Sequence, residues 1–511
     1  SAKESFKSCC TTWLKDISTL YGHSKDYFTS CLRSTVNPED EETCLSQQRR
    51  NRIMSDIAVL GAGPAGLMAA LKARENGHEV TVFEASSQVG GMAASLEVAG
   101  QRVDLGSHRL HPATDPSIMS LIKSLLGDDL QTRERNGRIR LQNKWIGFPL
   151  RTGDMVKNLP LRFSAAVAFD TLVKPLRPKS GSDFDAEIRR RLGPTVAREF
   201  YGPYATKLYG VTPSSLTTEL SDRRVSAGGP AQIIKNALRA AKPEGRIFYY
   251  PRRGYGQISE SLADAAISHG VKIQLNRPVD RITVSADSVE IASGDTLLNT
   301  GNVLSSIPLP ILARALSPSP PEEVVSAINQ QRTRGMLIAH LVVPQSQYTS
   351  FDAHYFPGID LTTARLSEAK NYRTGDDPPD LTVLCAELPC WVDDELWGAS
   401  PETIGQMVEE DLTRAGLPKA NHTHVEVRRL PSVYPVYEQA TSSARTVIDN
   451  WLRHPGRVLS LGRQGLGVPD NLHHVLSMGS QAASTITSMG SIDAQAWGRS
   501  LTEFSAHVVQ D

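Results

Sequence analysis

Asp56-Ile57-Ala58-Val59-Leu60-Gly61-Ala62-Gly63-Pro64-Ala65-Gly66, with Val80-Thr81-Val82-Phe83-Glu84 after it, is the stretch on which the fold turns. Ile57 to Leu60 is a short, unbroken apolar run, the pattern of a strand buried on both faces of a parallel sheet. Leu67 to Asn76 reads as a helix stopped by Gly77, and Val80 to Phe83 as the next strand, ending at Glu84. The glycines between strand and helix have separate tasks. Gly61 permits the tight turn, Gly63 lets backbone approach a pyrophosphate, and Gly66 allows close packing of helix on strand. The N-terminus of that helix then offers unpaired N–H groups and a positive partial charge to phosphate. Glu84, about 20 residues on, suits hydrogen bonds from ribose hydroxyls and disfavours a 2′-phosphate. A lone G-x-G-x-x-G is a weak signal. Strand before, helix after and acid downstream together predict a bound dinucleotide.

The wider composition sets bounds. At ~150 residues per domain, 511 residues make about three domains' worth of chain. Hydrophobic residues at 40% and charged ones at 22% exclude disorder throughout. Equal counts of 55 basic and 55 acidic side chains leave no basic footprint for nucleic acid or anionic membrane. No run of ~18 apolar residues suggests a membrane span. Ser1 to Ser30 lacks the apolar middle of a signal peptide, so a cytoplasmic protein is expected. Cys9, Cys10, Cys31 and Cys44 have neither disulfide-scaffold density nor paired zinc spacing, and His473-His474 lack recognisable further ligands, so no metal is expected. Cys385 and Cys390 sit in an alternating LTVLCAELPC run, where buried strand positions are expected.

Beyond the fingerprint, Glu84-Ala85-Ser86-Ser87-Gln88-Val89-Gly90-Gly91-Met92 resembles the E-x-x-x-x-x-G-G extension of the flavoprotein amine oxidase and protoporphyrinogen oxidase superfamily. Val103 to Pro112, with Asp104, Gly106, Ser107 and His108, resembles the D-x-G-x-H loop that these enzymes set against the isoalloxazine ring. Glu199 to Gly210 is similar to the Y-T-x-K-x-W-G segment of the related UDP-galactopyranose mutases, with Ala205 and Tyr209 replacing its threonine and tryptophan. Tyr250 to Gln257 resembles a Y-P-x-x-G-x-G turn, and Val279 lies in a strand like the one meeting the adenine. Leu461-Gly462-Arg463-Gln464-Gly465, followed by Asn471-Leu472, resembles the C-terminal flavin-binding strand and helix. The resemblance covers most of residues 54 to 490 and rests on the order and spacing of motifs that are individually loose. It implies FAD, with Gly61, Gly63, Pro64, Ala65, Gly66, Glu84, Ala85, Gly90, Gly91 and Met92 at its nucleotide end. Gly106, Ser107, His108, Val279, Gly462, Arg463 and Leu472 complete the implied cofactor site.

Three departures narrow the chemistry that the resemblance implies. The strand near Arg334 to His340 has no lysine, which amine oxidases of this type place beside the flavin. No R-x-Y element follows the last glycine motif, which counts against a sugar-nucleotide mutase, although Arg109, Arg224 and Arg365 offer other phosphate ligands. No cysteine flanks that motif, so the FAD is expected to be non-covalent. The expected function is therefore an FAD-dependent oxidase or dehydrogenase/desaturase, passing hydride from a small-molecule C–H bond to flavin N5 with oxygen as acceptor. The alternative is a flavin-dependent mutase of the UDP-galactopyranose type. His108 is the first catalytic residue expected, its competing reading being a histidine that closes a loop hydrogen bond. Arg109 follows, then Tyr204, Lys207 and Tyr209 if their segment lines the pocket; otherwise they form a capped helix end with aromatic packing.

The expected architecture is α/β: a Rossmann-like FAD-binding domain, its parallel sheet completed by distant segments, plus an α+β substrate domain. The FAD-binding domain is expected from 54–110, 245–310 and 456–490, and the substrate domain from 111–244 and 311–455. Residues 1–53 read as a natural helical extension, a processed leader remnant or an added segment, and 491–511 as a C-terminal tail.

Overall fold

A computed structural model describes residues 56–149, 157–177, 180–224, 247–453 and 456–509. The expected extension 1–53, with its four cysteines, lies outside them. A five-stranded, wholly parallel sheet runs in the order Val458–Ser460, Asn302–Ser305, Asp56–Leu60, Glu79–Phe83, Lys272–Gln274. Strand alternation explains why its strands are apolar without a break. Ile57, Val59, Val80, Val82 and Leu304 join the core on one face, while Ala58, Leu60, Phe83 and Val303 join the core on the other.

On the first face lie the helices Pro64–Glu75, Gln257–Ser268 and Leu472–Ser484. Gly479 sits where a Cβ would come within 2.3 Å of the Ala65 carbonyl oxygen, so helix Leu472–Ser484 can lie directly on helix Pro64–Glu75. On the opposite face a four-stranded sheet and the helices Leu309–Ala315, Glu322–Gln330 and Gln439–Arg453 close the core.

The second layer is a mixed seven-stranded sheet in the order His424–Pro435, Thr333–Val343, Thr382–Cys390, Arg365–Glu368, Ala353–Tyr355, Gly137–Leu141, Lys144–Phe148. Its long strand Thr333–Val343 also alternates. Met336 and Ile338 face the helical segment Phe184–Tyr209, while Leu337, Ala339 and Leu341 pack with Ile404, Val408 and Leu412 of helix Pro401–Arg414. Cys385 and Cys390 are buried strand residues, as their alternating run implies.

Three segments pack differently from the expected domain limits. Helix Pro116–Leu126, assigned to the substrate domain, buries Ile118, Ile122 and Leu126 in the nucleotide core. Helix Gln439–Arg453, likewise assigned there, buries Ala444, Ile448 and Leu452 behind the parallel sheet. The expected tail forms helix Ala494–Ser505, whose Trp497 and Phe504 enter the nucleotide core. Amphipathic spacing announces a helix but not which core receives its apolar face.

Candidate active site

A cavity of ≈ 520 Å³ opens at the carboxyl ends of the parallel strands, where Leu60, Phe83 and Ser306 reach its wall. Its nucleotide end is built largely from backbone. Helix Pro64–Glu75 starts at Gly63 with no side-chain cap and no acidic residue in its first turn. Its orphan N–H groups are therefore available to an anion. A Cβ on Gly63 would meet nothing within 4 Å, so that side of the turn is open space. Gly91 lies against it, a Cβ there reaching within 3.4 Å of Gly63 Cα, and Gly90 N–H donates to Ala62 O at 2.8 Å. Two glycine turns joined in this way form a concave backbone cradle that fits a diphosphate. Glu84 Oε2 accepts Ala62 N–H at 2.7 Å, and Oε1 accepts Ser86 N–H at 2.9 Å. Its carboxylate therefore stands at the strand end, on a wall shared with Ala85, Pro278 and Val279.

Pro64, Ala65, Gly61, Met92, Gly462, Arg463 and Leu472 also reach the wall, as the sequence implies. Gly66 and Gly90 do not line it. Gly66 lies behind the wall, where a Cβ would fall 2.0 Å from Gly61 O, so it sets the helix-to-turn distance.

Toward the other end, the loop after strand Gln101–Asp104 is held from beneath. The buried Asp104 carboxylate accepts Ser95 Oγ–H at 2.6 Å, Tyr255 N–H at 3.0 Å and the Tyr250 hydroxyl. Gly106, Ser107, His108 and Arg109 then line the cavity. His108 stacks on Tyr255, ring centroids 5.1 Å apart, and its Nε2 lies 3.2 Å from Leu105 O. A carbonyl only accepts, so Nε2 carries the hydrogen and Nδ1 is the basic atom. His108 therefore closes a loop hydrogen bond, as its competing reading has it, and also lines the cavity. Burial lowers its pKa, against the pull of Asp104 and Glu387. Arg109 forms an ion pair with Asp352 at 3.1 Å and donates to the hydroxyls of Tyr355 and Tyr372. Burial opposes its charge, but Tyr372 and Asp352 hold its pKa above the ordinary value.

The seven-stranded sheet supplies the facing wall. Met336 and Ile338 stand where the sequence lacks a lysine, with Leu430 and Val433 nearby. Arg365 and Glu387 form a two-pronged ion pair, both contacts at 2.8 Å, and Glu387 also accepts Ser107 N–H at 2.8 Å. Tyr204 reaches the cavity, but Lys207 and Tyr209 do not. Lys207 Nζ donates to Phe356 O at 2.5 Å and Thr363 O at 3.0 Å, and burial pushes its pKa down to about 8. Tyr209 is buried against Tyr434, ring centroids 5.8 Å apart. These two residues thus brace the segment that presents Tyr204, following the capped-helix reading. An i, i+3 offset along helix Gly202–Tyr209 cannot by itself say which face meets a cavity.

The sequence reading missed Glu387, Asp352 and Tyr255. Tyr255 lies within the Tyr250–Gln257 turn without being singled out there, and Glu387 left a trace as a carboxylate inside an otherwise apolar strand run. His473-His474 gain neighbours from the C-terminal segment, with potential ligand atoms of Asp470, His474 and His507 within 4.8 Å of one another. These groups already have structural tasks. His474 Nδ1 accepts Asn471 N–H at 3.3 Å as a helix cap, and His507 Nδ1 binds Asp470 Oδ2 at 2.7 Å. A wider depression of ≈ 750 Å³, lined among others by Thr132, Lys370 and Arg373, shares no lining residue with the cavity.

A dinucleotide cradle on a parallel sheet, continuous with a cavity roofed by a second sheet, defines a flavin-dependent oxidoreductase. The chain belongs to the flavin-containing amine oxidoreductase family, whose profile it matches over residues 64–466, and FAD is its cofactor. It is 26% identical over 487 residues to the coproporphyrinogen III oxidase of Propionibacterium freudenreichii subsp. freudenreichii, covering 81% of this chain and 88% of that protein. Among solved structures, a reduced UDP-galactopyranose mutase shares the fold with a TM-score of 0.74 at 17% identity, over 89% of this chain and 100% of the other. The cyclohexylamine oxidase of Brevibacterium oxydans IH-35A has a TM-score of 0.60 at 17% identity, over 84% and 98% respectively. No described helix is long and apolar enough to cross a membrane.

Proposed function

We propose that the chain oxidises a small or medium organic molecule by two electrons, using oxygen as the final acceptor. The observation that carries this reading is the wall opposite His108, where Met336, Ile338, Leu430 and Val433 make an apolar surface beside the flavin end. Such a surface excludes water from a reacting C–H bond and strengthens nearby electrostatics. When bound, FAD supplies a two-electron acceptor for hydride at N5. The chain's residues hold and orient. The Gly63 and Gly91 turns and the uncapped helix hold the diphosphate, and Glu84 meets the ribose. Gly106 and Ser107 fix the loop edge through Glu387. His108 Nδ1 is the group proposed to take up a proton released by the substrate. Cys385 and Cys390, the cysteines among the described residues, are absent from the cavity wall, which supports a non-covalent flavin.

The mutase alternative is favoured by Arg224 and Arg463 on the cavity wall, since arginine suits sugar-nucleotide phosphate. Reduction of the purified protein without oxygen, followed by air, separates the readings. Flavin bands that bleach and return quickly with peroxide formed are the expected result. A reduced flavin that persists in air would overturn the oxidase and favour the mutase or a dehydrogenase with another acceptor.

A further inference from the structure

Helix Leu161–Leu172 carries apolar side chains on two opposite faces, and only one of those faces is packed. Phe163 is buried with Ile146 and Leu159, and Val167 packs beside them. The buried Asp170 carboxylate accepts Thr195 N–H at 2.8 Å and pairs with Arg177 at 3.8 Å. Arg177 in turn donates to Arg189 O at 3.0 Å. The helix is thus fixed from below, at the start of the helical run that presents Tyr204 to the cavity.

The other face has no such cover among the described residues. Leu161, Ala165, Ala168, Phe169 and Leu172 recur at i, i+4, i+7, i+8 and i+11, which sets them on one stripe turned away from Phe163 and Asp170. Leu161 is 85% exposed, Phe169 64% and Leu172 78%, and Leu176 in the following turn is 86% exposed. A helix apolar on both faces is ordinarily buried on both. Single exposed leucines need no explanation, but a stripe of this length marks a surface that is covered in use. None of these residues lines either cavity described above. They stand out from a ridge, which has no concave rim to select the shape of a folded partner. A fluid surface needs none.

The charges around the stripe choose its partner. From Lys157 to Arg177 the basic residues are Lys157, Arg162, Lys174 and Arg177, while the one acid, Asp170, is buried. Lys157 and Arg162 are exposed. The neutrality of the whole chain does not cancel this local excess, because at physiological salt attraction between exposed charges reaches only ~8 Å. A two-fold contact with a second copy would bring the basic flanks together with no exposed acid of this segment between them. An anionic surface with an apolar interior satisfies both the stripe and its flanks. The helix has 12 residues. At ~1.5 Å per residue it is far shorter than the ~30 Å hydrocarbon core, so it lies along such a surface and does not cross it.

We propose that helix Leu161–Leu172, with Leu176, is a docking face for an anionic lipid bilayer. Phe169 and the leucines enter the boundary between headgroups and acyl chains, and Lys157 and Arg162 meet lipid phosphate. The face is separate from the flavin cavity and does not rest on the oxidoreductase reading.

The test is flotation of the FAD-loaded full chain with vesicles of phosphatidylcholine and phosphatidylglycerol in equal parts, beside vesicles of phosphatidylcholine alone. Saturable binding to the mixed vesicles is expected, weaker on phosphatidylcholine alone and falling as salt is raised. A double variant, Phe169→Ser with Leu172→Ser, should bind the mixed vesicles about 30-fold more weakly. Arg162→Gln should bind them about fivefold more weakly. All three side chains are exposed, so an unchanged flavin spectrum and urea midpoint should show that the variants are folded. Ile267→Ser, which removes an exposed apolar side chain from another helix, should bind as the parent does. No binding to the mixed vesicles, undiminished binding by the double variant, or an equal loss in Ile267→Ser would overturn the docking face. A lipid-free dimer in sedimentation equilibrium that the double variant dissociates would also overturn it, by assigning the stripe to a second copy. Vesicle binding is read without turnover, so failure of the oxidase reading leaves this test intact.

Discussion

The two ends of the cavity are made of different material. At the nucleotide end, backbone does the recognition: an uncapped helix start, two glycine turns and one carboxylate bent back onto Ala62 N–H. At the facing wall, side chains from separated strands do it: Met336, Arg365, Glu387 and Tyr434, with Arg463 arriving from beyond the last parallel strand. Backbone recognition requires local spacing, because a turn and its helix are contiguous in the chain. Side-chain recognition requires only that residues converge, and their sequence separations can take any value. The first is intolerant of an added atom, and the second of a removed charge.

The contrast can be broken most severely at Gly66. A Cβ there falls 2.0 Å from Gly61 O, so Gly66→Val should force helix and turn apart at a cost above about 4 kcal/mol. Purification should give protein that retains no FAD; a flavin-loaded Gly66→Val protein of ordinary urea stability would refute the backbone account. The facing wall should fail differently. Glu387→Ala leaves the Arg365 cation buried without its partner and should lower stability by about 3 kcal/mol in urea unfolding. If the loss is below about 1 kcal/mol, the ion pair does not organise the wall.

Glu84→Ala is the intermediate case, a side chain working at the backbone end. It strands Ala62 N–H and Ser86 N–H and removes the ribose acceptor, so FAD should bind about tenfold or more weakly by equilibrium dialysis. Acid should loosen helix Leu472–Ser484 more gradually. Burial, with His507 and His473 adding to it, depresses His473 to about 4 and His474 to about 3. Their folded-state values lie below the unfolded value near 6.5, so the unfolded chain binds more protons between these limits. Stability is complete above pH 6.5 and should fall toward pH 4, by roughly 1 kcal/mol per pH unit for each ring. His473→Asn should flatten the urea midpoint's dependence on pH; an unchanged slope would show that the ring is not held neutral. The smallest effect is expected at Ser306, whose Oγ donates to Leu60 O at 3.0 Å. Ser306→Ala should cost about 1 kcal/mol or less, read from the same unfolding curve.

Gly61, Gly63, Glu84 and Gly91 were legible because each meets a requirement of local geometry at a fixed offset from a strand end. Arg463 and Leu472 were found through the order of family-like motifs, not through any spacing of their own. Lys207 and Tyr209 were placed at the site with Tyr204 because all three lie in the segment similar to that of the mutases, yet of the three only Tyr204 reaches the cavity. Helix Ala494–Ser505 was read as a tail because nothing around Trp497 and Phe504 in the sequence names the core that buries them.

The sequence by itself determined the parallel sheet, the dinucleotide turn and the flavin-oxidoreductase resemblance, since a phosphate-binding turn can be made in few ways and each leaves glycines at set intervals. Only the tertiary structure decided which charges are neutralised. Glu387 meets Arg365 from a neighbouring strand, Asp352 meets Arg109 from a distant segment, and Arg463 meets no carboxylate among the described residues. Electrostatic balance depends on distances through the folded core, and linear order does not encode those distances.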